Sequence, residues 1–255
     1  MEGRAGIAMR RIYLCTSVLL GVLAVGCNDP ANDLDEDGLH RPDPLPIPTA
    51  AATYPDGPFD VSKGAVVPNY NFPGFVNAKV DSATMQTIAL GDFYNPHGDD
   101  PSYEPASPEK DDRLFPEGSP YGAGNKKPLV LVIAIGSVWC GPCNEEAKNL
   151  LPTLYAKYKP CGGEILYQLV EGASPGIEAT QQNLKTWTKV YKVDYPISID
   201  PGRQLSALYP TASFPDAAVI DTRTMRMIEV IQGVPDDAFW AVYESRLVPG
   251  CLAKP

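Results

Sequence analysis

The sequence predicts an α/β fold in which helices flank a central mixed β-sheet, over a domain of about residues 64–255. A continuous apolar run rich in β-branched residues, 129–135, predicts a buried central strand. A helical stretch follows it directly, and extended and helical segments then alternate towards the end of the chain. A domain of this length can bury a single hydrophobic core.

Two elements precede the central strand. Residues 72–77 and 86–90 have β character with turn residues between them, which predicts an N-terminal hairpin that extends the sheet. Residues 95–125 are polar and dense in proline, glycine and aspartate. They predict a long surface insertion near the start of the central strand, either a passive loop or a flap that binds a partner.

A helix over about 141–158 is predicted after the central strand. Its apolar side chains recur at helical spacing: Leu150, Leu151, Leu154, Tyr155 and Tyr158. Pro152 lies inside this pattern and predicts a kink, since proline has no N–H to donate within a helix.

The second half of the domain continues the alternation. An amphipathic helix over 177–191 would use five side chains: Ile177, Leu184, Trp187, Val190 and Tyr191. A last helix, 236–247, would bury four: Phe239, Trp240, Tyr243 and Leu247. The other predicted elements are strands at 164–170, 197–199, 217–220 and 225–232 and a short helix at 203–208.

The junction between the central strand and its helix carries two cysteines three positions apart. It reads Trp139-Cys140-Gly141-Pro142-Cys143. Thiols at this spacing can close a disulfide with each other, and the unpaired N–H groups and dipole of a helix start favour the thiolate of the first. The pattern therefore predicts a redox-active dithiol.

Zinc is the alternative, because Cys-x2-Cys is also half of many metal sites. The sequence has no second pair of this kind, and its two histidines, His40 and His97, lie in polar, proline-rich segments. Redox chemistry is therefore favoured, and we expect neither a metal nor another cofactor.

The first residues predict export. A basic segment at 9–11 precedes an apolar one, 12–25, that is short for a membrane span. Small residues then precede Cys27, which resembles a bacterial lipobox. We predict a lipoprotein signal at 1–26 and a lipid on Cys27, which would anchor the protein to a membrane of the cell envelope, facing the periplasm. An ordinary cleaved signal is the alternative.

The acidic, proline-rich segment 27–63 predicts an extended tether. Residues 33–38 resemble the start of a calcium loop, but Pro44 stands at loop position 12, where glutamate is needed. A solvated linker is therefore the better interpretation. With a formal net charge of −10 and no basic stripe, the chain is not expected to bind nucleic acid.

The chain has six cysteines. Cys15 would leave with the signal and Cys27 would carry lipid. Cys161 and Cys251 then remain in a compartment that permits disulfides. We predict a structural disulfide between them, and two free thiols or a resolving role in an extended relay are the alternatives.

The order of elements, the cysteine motif and Phe214-Pro215 resemble the thioredoxin superfamily over about residues 64–250. More narrowly, the chain resembles the TlpA-like, membrane-anchored thiol-disulfide oxidoreductases, a branch with bacterial lipoproteins among its members. This narrower resemblance rests on the predicted anchor, on the segment 90–93 and on Glu146, placed three residues after the motif.

The resemblance implies roles for individual residues. Glu146 would lie near the cysteine pair and tune its protonation. Pro215 would be a cis-proline that faces the cysteines and offers backbone to the substrate. The implied substrate-binding face comprises Trp139, Gly141, Pro142, Phe214 and Pro215.

Some positions depart from the family pattern. Ala134 stands where thioredoxin itself has a buried aspartate, and residues 135–138 replace an aromatic-rich sequence. Phe214 precedes the proline where a small or β-branched residue is commoner, and Asp216 follows it. These differences bear on the redox potential and on the partner, not on the reaction class.

The predicted reaction is thiol–disulfide exchange. Cys140 attacks a substrate disulfide, and Cys143 then attacks Cys140 and releases the reduced substrate. A Gly-Pro pair between the thiols is typical of reducing family members, which predicts a protein-disulfide reductase with a potential nearer about −270 mV than about −120 mV. Its partners would be disulfide-containing proteins and an upstream membrane or periplasmic electron donor.

Two other functions use the same fold. A peroxiredoxin-like peroxidase needs Thr-x2-Cys, whereas residues 137–139 here are Ser, Val and Trp. A thioredoxin-fold adaptor or Cu(I) metallochaperone would use the dithiolate as a soft ligand, but no histidine or methionine near the motif supports it.

Overall fold

A computed structural model describes residues 53–81, 84–211 and 213–253. The predicted signal, the predicted lipid site at Cys27 and the predicted tether as far as residue 52 lie outside these residues. Within the described ranges, no helix combines the length and the apolar character needed to cross a membrane.

The described residues form one mixed sheet of seven strands: β1 (Asn71–Phe75), β2 (Gln86–Ala89), β3 (Val130–Ser137), β4 (Gly163–Glu171), β5 (Ile197–Ile199), β6 (Asp216–Asp221) and β7 (Arg226–Gln232). Their order across the sheet is β2-β1-β5-β4-β3-β6-β7. β4 is parallel to both β3 and β5, and all other neighbours are antiparallel. Every residue of β3 and β4 is buried, as expected for central strands covered on both faces. The predicted fold class and the hairpin of β1 and β2 are confirmed.

Five α-helices lie in the described part of the chain: α1 (Ala78–Asp81), α2 (Gly141–Glu145), α3 (Leu151–Tyr158), α4 (Gln181–Tyr191) and α5 (Asp237–Glu244). Short 3₁₀ segments are Leu90–Phe93, Pro108–Lys110, Lys159–Cys161, Ser206–Leu208 and Cys251–Ala253. α2 and α3 form the crossover between β3 and β4, and α4 forms the one between β4 and β5. α5 packs on α3, with the ring centroids of Tyr158 and Tyr243 5.1 Å apart.

The predicted kink takes the form of a π turn. Residues Glu146–Leu150 join α2 to α3, and the Leu151 N–H reaches five residues back to the Glu146 carbonyl. Pro152 lies in the first turn of α3, where it has no N–H to continue the α-helical pattern. The irregularity therefore falls directly upstream of the proline, as helix irregularities commonly do.

The predicted start of the helix at Ile177 is wrong. α4 begins after Thr180, whose side chain accepts the Asn183 N–H at 3.0 Å while the Asn183 side chain accepts the Thr180 N–H. This capping box fixes the start of the helix four residues later than the apolar pattern suggested. Ile177 instead lies in a turn and is 61% exposed, and Val190, predicted on the apolar face, is 60% exposed.

Two other predicted helices are shorter than expected. The one at 203–208 contracts to Ser206–Leu208, because the Asp200 carboxylate accepts backbone N–H groups ahead of it and Arg203 has a φ of 49°, outside the helical region. The last helix ends at Glu244, although Leu247 is still buried.

The predicted insertion packs at the first residues of β3. Asn95 Nδ2 donates to the Lys127 carbonyl at 3.3 Å, and the buried Phe115 ring stacks on Tyr121 with centroids 4.7 Å apart. β3 has eight residues, so its two ends are roughly 26 Å apart at about 3.3 Å per residue. The insertion is thus attached at the end of β3 away from the cysteine motif, which does not favour a flap over the cysteines.

The packed part of the chain begins before residue 64. The Tyr54 hydroxyl donates to the Val67 carbonyl at 2.7 Å, and Val61 is buried. Side chains at 54 and 61, near the end of the predicted tether, therefore attach that part of it to the domain.

Candidate active site

The two cysteines of the motif lie where β3 ends and α2 begins. They form a disulfide with an S–S distance of 2.09 Å and Cα atoms 5.3 Å apart. Cys140 is the N-cap of α2, and its sulfur accepts the Cys143 N–H at 3.1 Å. Pro142 lies in the first helical turn, where the missing N–H removes no intrahelical bond. Once the disulfide is reduced, this helix start favours a thiolate on Cys140.

A cis-proline loop faces the first cysteine. The Phe214–Pro215 peptide bond is cis, and the Phe214 carbonyl oxygen lies 3.4 Å from Cys140 Sγ. The Pro215 carbonyl accepts the Gly233 N–H at 2.8 Å, which ties the loop to the end of β7. The structure thus brings together residues that are more than 70 positions apart in sequence.

Trp139 lies beside the cis-proline loop. Its ring is 36% exposed and meets the Phe214 ring edge-on with centroids 5.9 Å apart. Its indole Nε1–H donates to Glu171 Oε2 at 2.8 Å, at the buried end of β4. The two neighbouring motif residues, Gly141 and Pro142, are exposed beside it.

Side chains that sequence reasoning missed complete a ring around this face. Arg203 lies 3.8 Å from the second carboxylate oxygen of Glu171, and its guanidinium lies 5.6 Å from the ring centroid of Tyr209. Tyr209 in turn lies 5.6 Å from Phe214, which contacts Trp139. The ring joins the residue before Cys140 to the cis-proline loop, and no local sequence pattern signals it.

Glu146 follows Cys143 by three residues, so the two side chains share one face of the active-site helix. The carboxyl is buried, and burial raises its pKa from 4.5 to about 7. A group with a pKa near neutrality can both accept and return a proton under physiological conditions. This position suits a role in the protonation of the cysteine pair.

A tyrosine is the register partner of Ala134, the position at which thioredoxin itself has a buried aspartate. Ala134 is paired with Tyr167 of β4 and Ala217 of β6. A Cβ atom built on Gly136 would lie 2.1 Å from the Tyr167 hydroxyl oxygen and 3.1 Å from Cys143 Cβ. A side chain at this position would therefore have to displace the Tyr167 hydroxyl, and Tyr167 lies close to the buried cysteine. Sequence reasoning did not identify it.

Asp216, directly after the cis-proline, is buried at the start of β6. Its Oδ1 accepts the Gly233 N–H at 3.1 Å, and burial raises its pKa to about 6. Asp216 pairs with Ile135, whereas the adjacent Ala217 pairs with Ala134. Because successive side chains of a strand alternate between the two faces, Asp216 lies on the face opposite Ala134 and Gly136.

Cys161 and Cys251 form a second disulfide, with Cα atoms 5.6 Å apart. Cys161 precedes β4, and the Val248 N–H donates to its carbonyl at 3.0 Å. Glu171, which contacts Trp139, is at the other end of the same strand. This disulfide therefore attaches the C-terminal segment at the end of the sheet opposite the active site, and it is not placed to resolve the Cys140–Cys143 pair.

Among the described residues, no group of three or more histidine, cysteine or acidic side chains could hold a metal ion. His97 instead pairs with Asp112 in the insertion, 2.9 Å from one carboxylate oxygen.

The chain matches no protein-family model. Over 95 residues, 37% of the chain, it is 30% identical to thiol-disulfide oxidoreductase ResA of a Bacillus cereus strain and covers 50% of that protein. Over 111 residues, 44% of the chain, it is 27% identical to ResA of Bacillus thuringiensis subsp. konkukian and covers 59% of it. The chain thus spans about half the length of the curated relatives that it matches.

Among solved structures, the thioredoxin domain of a thiol-disulfide oxidoreductase from Bacteroides vulgatus aligns with 73% of the chain and 99% of that domain. The identity is 13% and the TM-score is 0.46.

A strand that leads into a Cys-x2-Cys helix opposite a cis-proline is the arrangement that the resemblance to the thioredoxin superfamily predicts, and the described residues have this thioredoxin-like fold. The curated proteins that the chain matches are named thiol-disulfide oxidoreductases.

Proposed function

We propose that this chain is a membrane-tethered thiol-disulfide oxidoreductase of the cell envelope that reduces disulfides in other proteins. The observation that carries the proposal is the Cys140–Cys143 disulfide at a helix start, 3.4 Å from the carbonyl that precedes cis-Pro215. The geometry supplies an activated sulfur, a second sulfur within bonding distance, and a backbone acceptor for an incoming peptide.

The reaction begins from the reduced protein. The Cys140 thiolate attacks one sulfur of a substrate disulfide, and the other substrate sulfur leaves as a thiolate that takes up a proton. Cys143 then loses its proton and attacks Cys140, which breaks the mixed disulfide and expels the second substrate thiolate. Two electrons and two protons pass to the substrate, and the protein is left with the Cys140–Cys143 disulfide seen here.

Glu146 is the group that we assign to the proton of Cys143. It lies one turn further along the same helix, and burial holds its pKa at about 7. A carboxylate with this pKa can accept the thiol proton and later return it at neutral pH.

The substrate would be a disulfide-containing protein bound in extended form. Its backbone would pair with the Phe214–Pro215 loop, and the residues flanking its cysteine would contact Trp139 and the exposed Gly141–Pro142 turn. Strand-like pairing of this kind gives affinity with little demand on side-chain sequence.

The reducing direction and the location rest on the sequence. A Gly-Pro pair separates the two thiols, and Cys27 follows a signal-like segment of the lipoprotein type. The part of the predicted tether, 27–63, that precedes Tyr54 would hold the domain away from the membrane, within reach of a membrane or periplasmic electron donor.

Trapping of the mixed disulfide tests this proposal. In Cys143→Ser the second step cannot occur, so Cys140 should accumulate a covalent adduct with its substrate, detectable by mass spectrometry after non-reducing electrophoresis. Cys140→Ser with Cys143 intact is the matched control and should trap far less. Absence of any Cys140-dependent adduct, with a wild type that does not reduce a test disulfide, would rule out the reductase.

A further inference from the structure

Tyr167 lies on β4 beneath the active-site helix, and the reaction described above gives it no task. Its side chain is fully buried, and its hydroxyl forms no hydrogen bond with any residue that the structure describes. Buried polar groups in native proteins almost always have a partner. Within the described residues, this donor is therefore available to a group whose state changes during the reaction.

The hydroxyl and the buried cysteine border one small space. A Cβ on Gly136 would enter that space, 2.1 Å from the Tyr167 oxygen and 3.1 Å from Cys143 Cβ. Trp187 stacks on the tyrosine ring with centroids 5.6 Å apart and restricts its direction. Three elements therefore meet at this space: β3 through Gly136, β4 through Tyr167 and α2 through Cys143.

The titratable groups around Tyr167 come from the π turn, from the end of α4 and from the segment before β5. They are Glu146, Tyr191 and Tyr195. Burial, with these neighbours, raises the pKa of Tyr167 well above 10, so the hydroxyl keeps its proton at any physiological pH. Tyr167 can therefore donate a hydrogen bond but cannot serve as the base, whereas Glu146 can.

We propose that Tyr167 donates a hydrogen bond to the sulfur of Cys143 once the Cys140–Cys143 disulfide is reduced. The proposal rests on the thiol–disulfide exchange function and adds a catalytic residue to it. The disulfide sulfur carries no charge, so the proposed hydrogen bond gains its strength only after reduction, when it is assisted by the charge of a thiolate.

The hydrogen bond acts between two steps of the reaction, the deprotonation of Cys143 and its attack on Cys140. The Cys143 thiol passes its proton to the Glu146 carboxylate and becomes a thiolate. That thiolate then attacks Cys140, and the bond between Cys140 and the substrate sulfur breaks. Tyr167 stabilises the thiolate between these two steps, because a hydrogen bond to the charged form of a group lowers its pKa.

Tyr167→Phe removes only the hydroxyl and tests the proposal. In a Cys140→Ser background, the pKa of Cys143 is read from ultraviolet thiolate absorbance against pH. We expect Tyr167→Phe to raise it by about one to two units, the usual worth of a hydrogen bond to a charged group. In the otherwise native protein, the pH midpoint for resolution of a mixed disulfide should shift upward by a similar amount.

Tyr121→Phe is the matched control, because the Tyr121 hydroxyl is also buried without a partner but belongs to the insertion at the far end of β3. It should leave both pH profiles unchanged. Gly136→Ala, which pushes the Tyr167 hydroxyl aside, should raise the pKa of Cys143 as Tyr167→Phe does.

The outcomes separate the two proposals. If the wild type exchanges disulfides and Tyr167→Phe leaves the pKa of Cys143 unchanged, the role of Tyr167 is overturned and the reductase stands. An equal shift in Tyr121→Phe would also overturn it, since the effect would then be a general loosening. If the wild type exchanges no disulfides, the proposed function itself fails.

Discussion

Glu146 links the stability of the protein to pH. Burial raises the pKa of its carboxyl from 4.5 to about 7, so the folded state favours the protonated form. A group whose pKa is raised on folding stabilises the protein fully below its unfolded pKa, and that stabilisation is lost as the pH rises through the folded value. The expected window runs from about pH 4.5 to just above pH 7.

Glu146→Gln should remove this dependence. Between about pH 4.5 and pH 8, the free energy of unfolding of the wild type should fall by about 3 kcal/mol more than that of the variant. Denaturant unfolding at both pH values measures the difference, and comparison with the variant cancels other buried carboxyls such as Asp216. If the free energy of unfolding depended on pH in the same way in both proteins, the raised pKa assigned to Glu146 would be contradicted.

The contact between Trp139 and Glu171 gives a second prediction at this scale. A hydrogen bond from the indole to a buried carboxylate should contribute about 1.5–3 kcal/mol. A double-mutant cycle with Trp139→Phe and Glu171→Ala measures it as the coupling in unfolding free energy. Strictly additive effects of the two substitutions would show that the contact is not formed in solution.

Local motifs explain which site residues the sequence could predict. Cys140 and Cys143 are close together along the chain and carry a recognisable spacing, and Pro215 was implied by resemblance. Glu171 and Tyr167 are different, because their positions follow from the register of β3 against β4. That register is set by packing of whole strands, and no window of sequence around either residue displays it.

At the scale of elements, capping overrides apolar periodicity. The pattern that began at Ile177 predicted a longer helix, but the side chains of Thr180 and Asn183 satisfy the first N–H groups of α4 and fix its start. The central strand was easier to predict, since β3 is a nearly continuous apolar run that only a central position in the sheet can bury.

The Cys161–Cys251 disulfide closes a loop of 90 residues that spans the second half of the domain. Its removal in Cys161→Ala/Cys251→Ala should lower the free energy of unfolding by about 3–4 kcal/mol, because the unfolded chain gains freedom. Denaturant unfolding under non-reducing conditions measures the loss. The exchange rate of Cys140–Cys143 should not change, and a large fall in that rate would instead favour a relay between the two pairs.

At the scale of the whole molecule, the proposed function places a redox domain on a lipid anchor at Cys27. Cys27→Ala should abolish incorporation of labelled fatty acid and release the protein from membranes in a bacterial host that processes lipoproteins. Cys15→Ala is the matched control, since that cysteine lies within the predicted signal. Labelling that persists in Cys27→Ala would show that the lipid site is elsewhere. A wild type without label would exclude the lipid and favour the alternative, an ordinary cleaved signal.

The central claim is that Cys140 and Cys143 form a reducing dithiol, and an equilibrium redox titration tests it most directly. The purified domain is equilibrated in thiol–disulfide buffers of graded potential, and the oxidised fraction of this pair is read by alkylation and peptide mass spectrometry. We expect a single two-electron transition nearer about −270 mV than about −120 mV. A transition near about −120 mV, or none, would contradict the account.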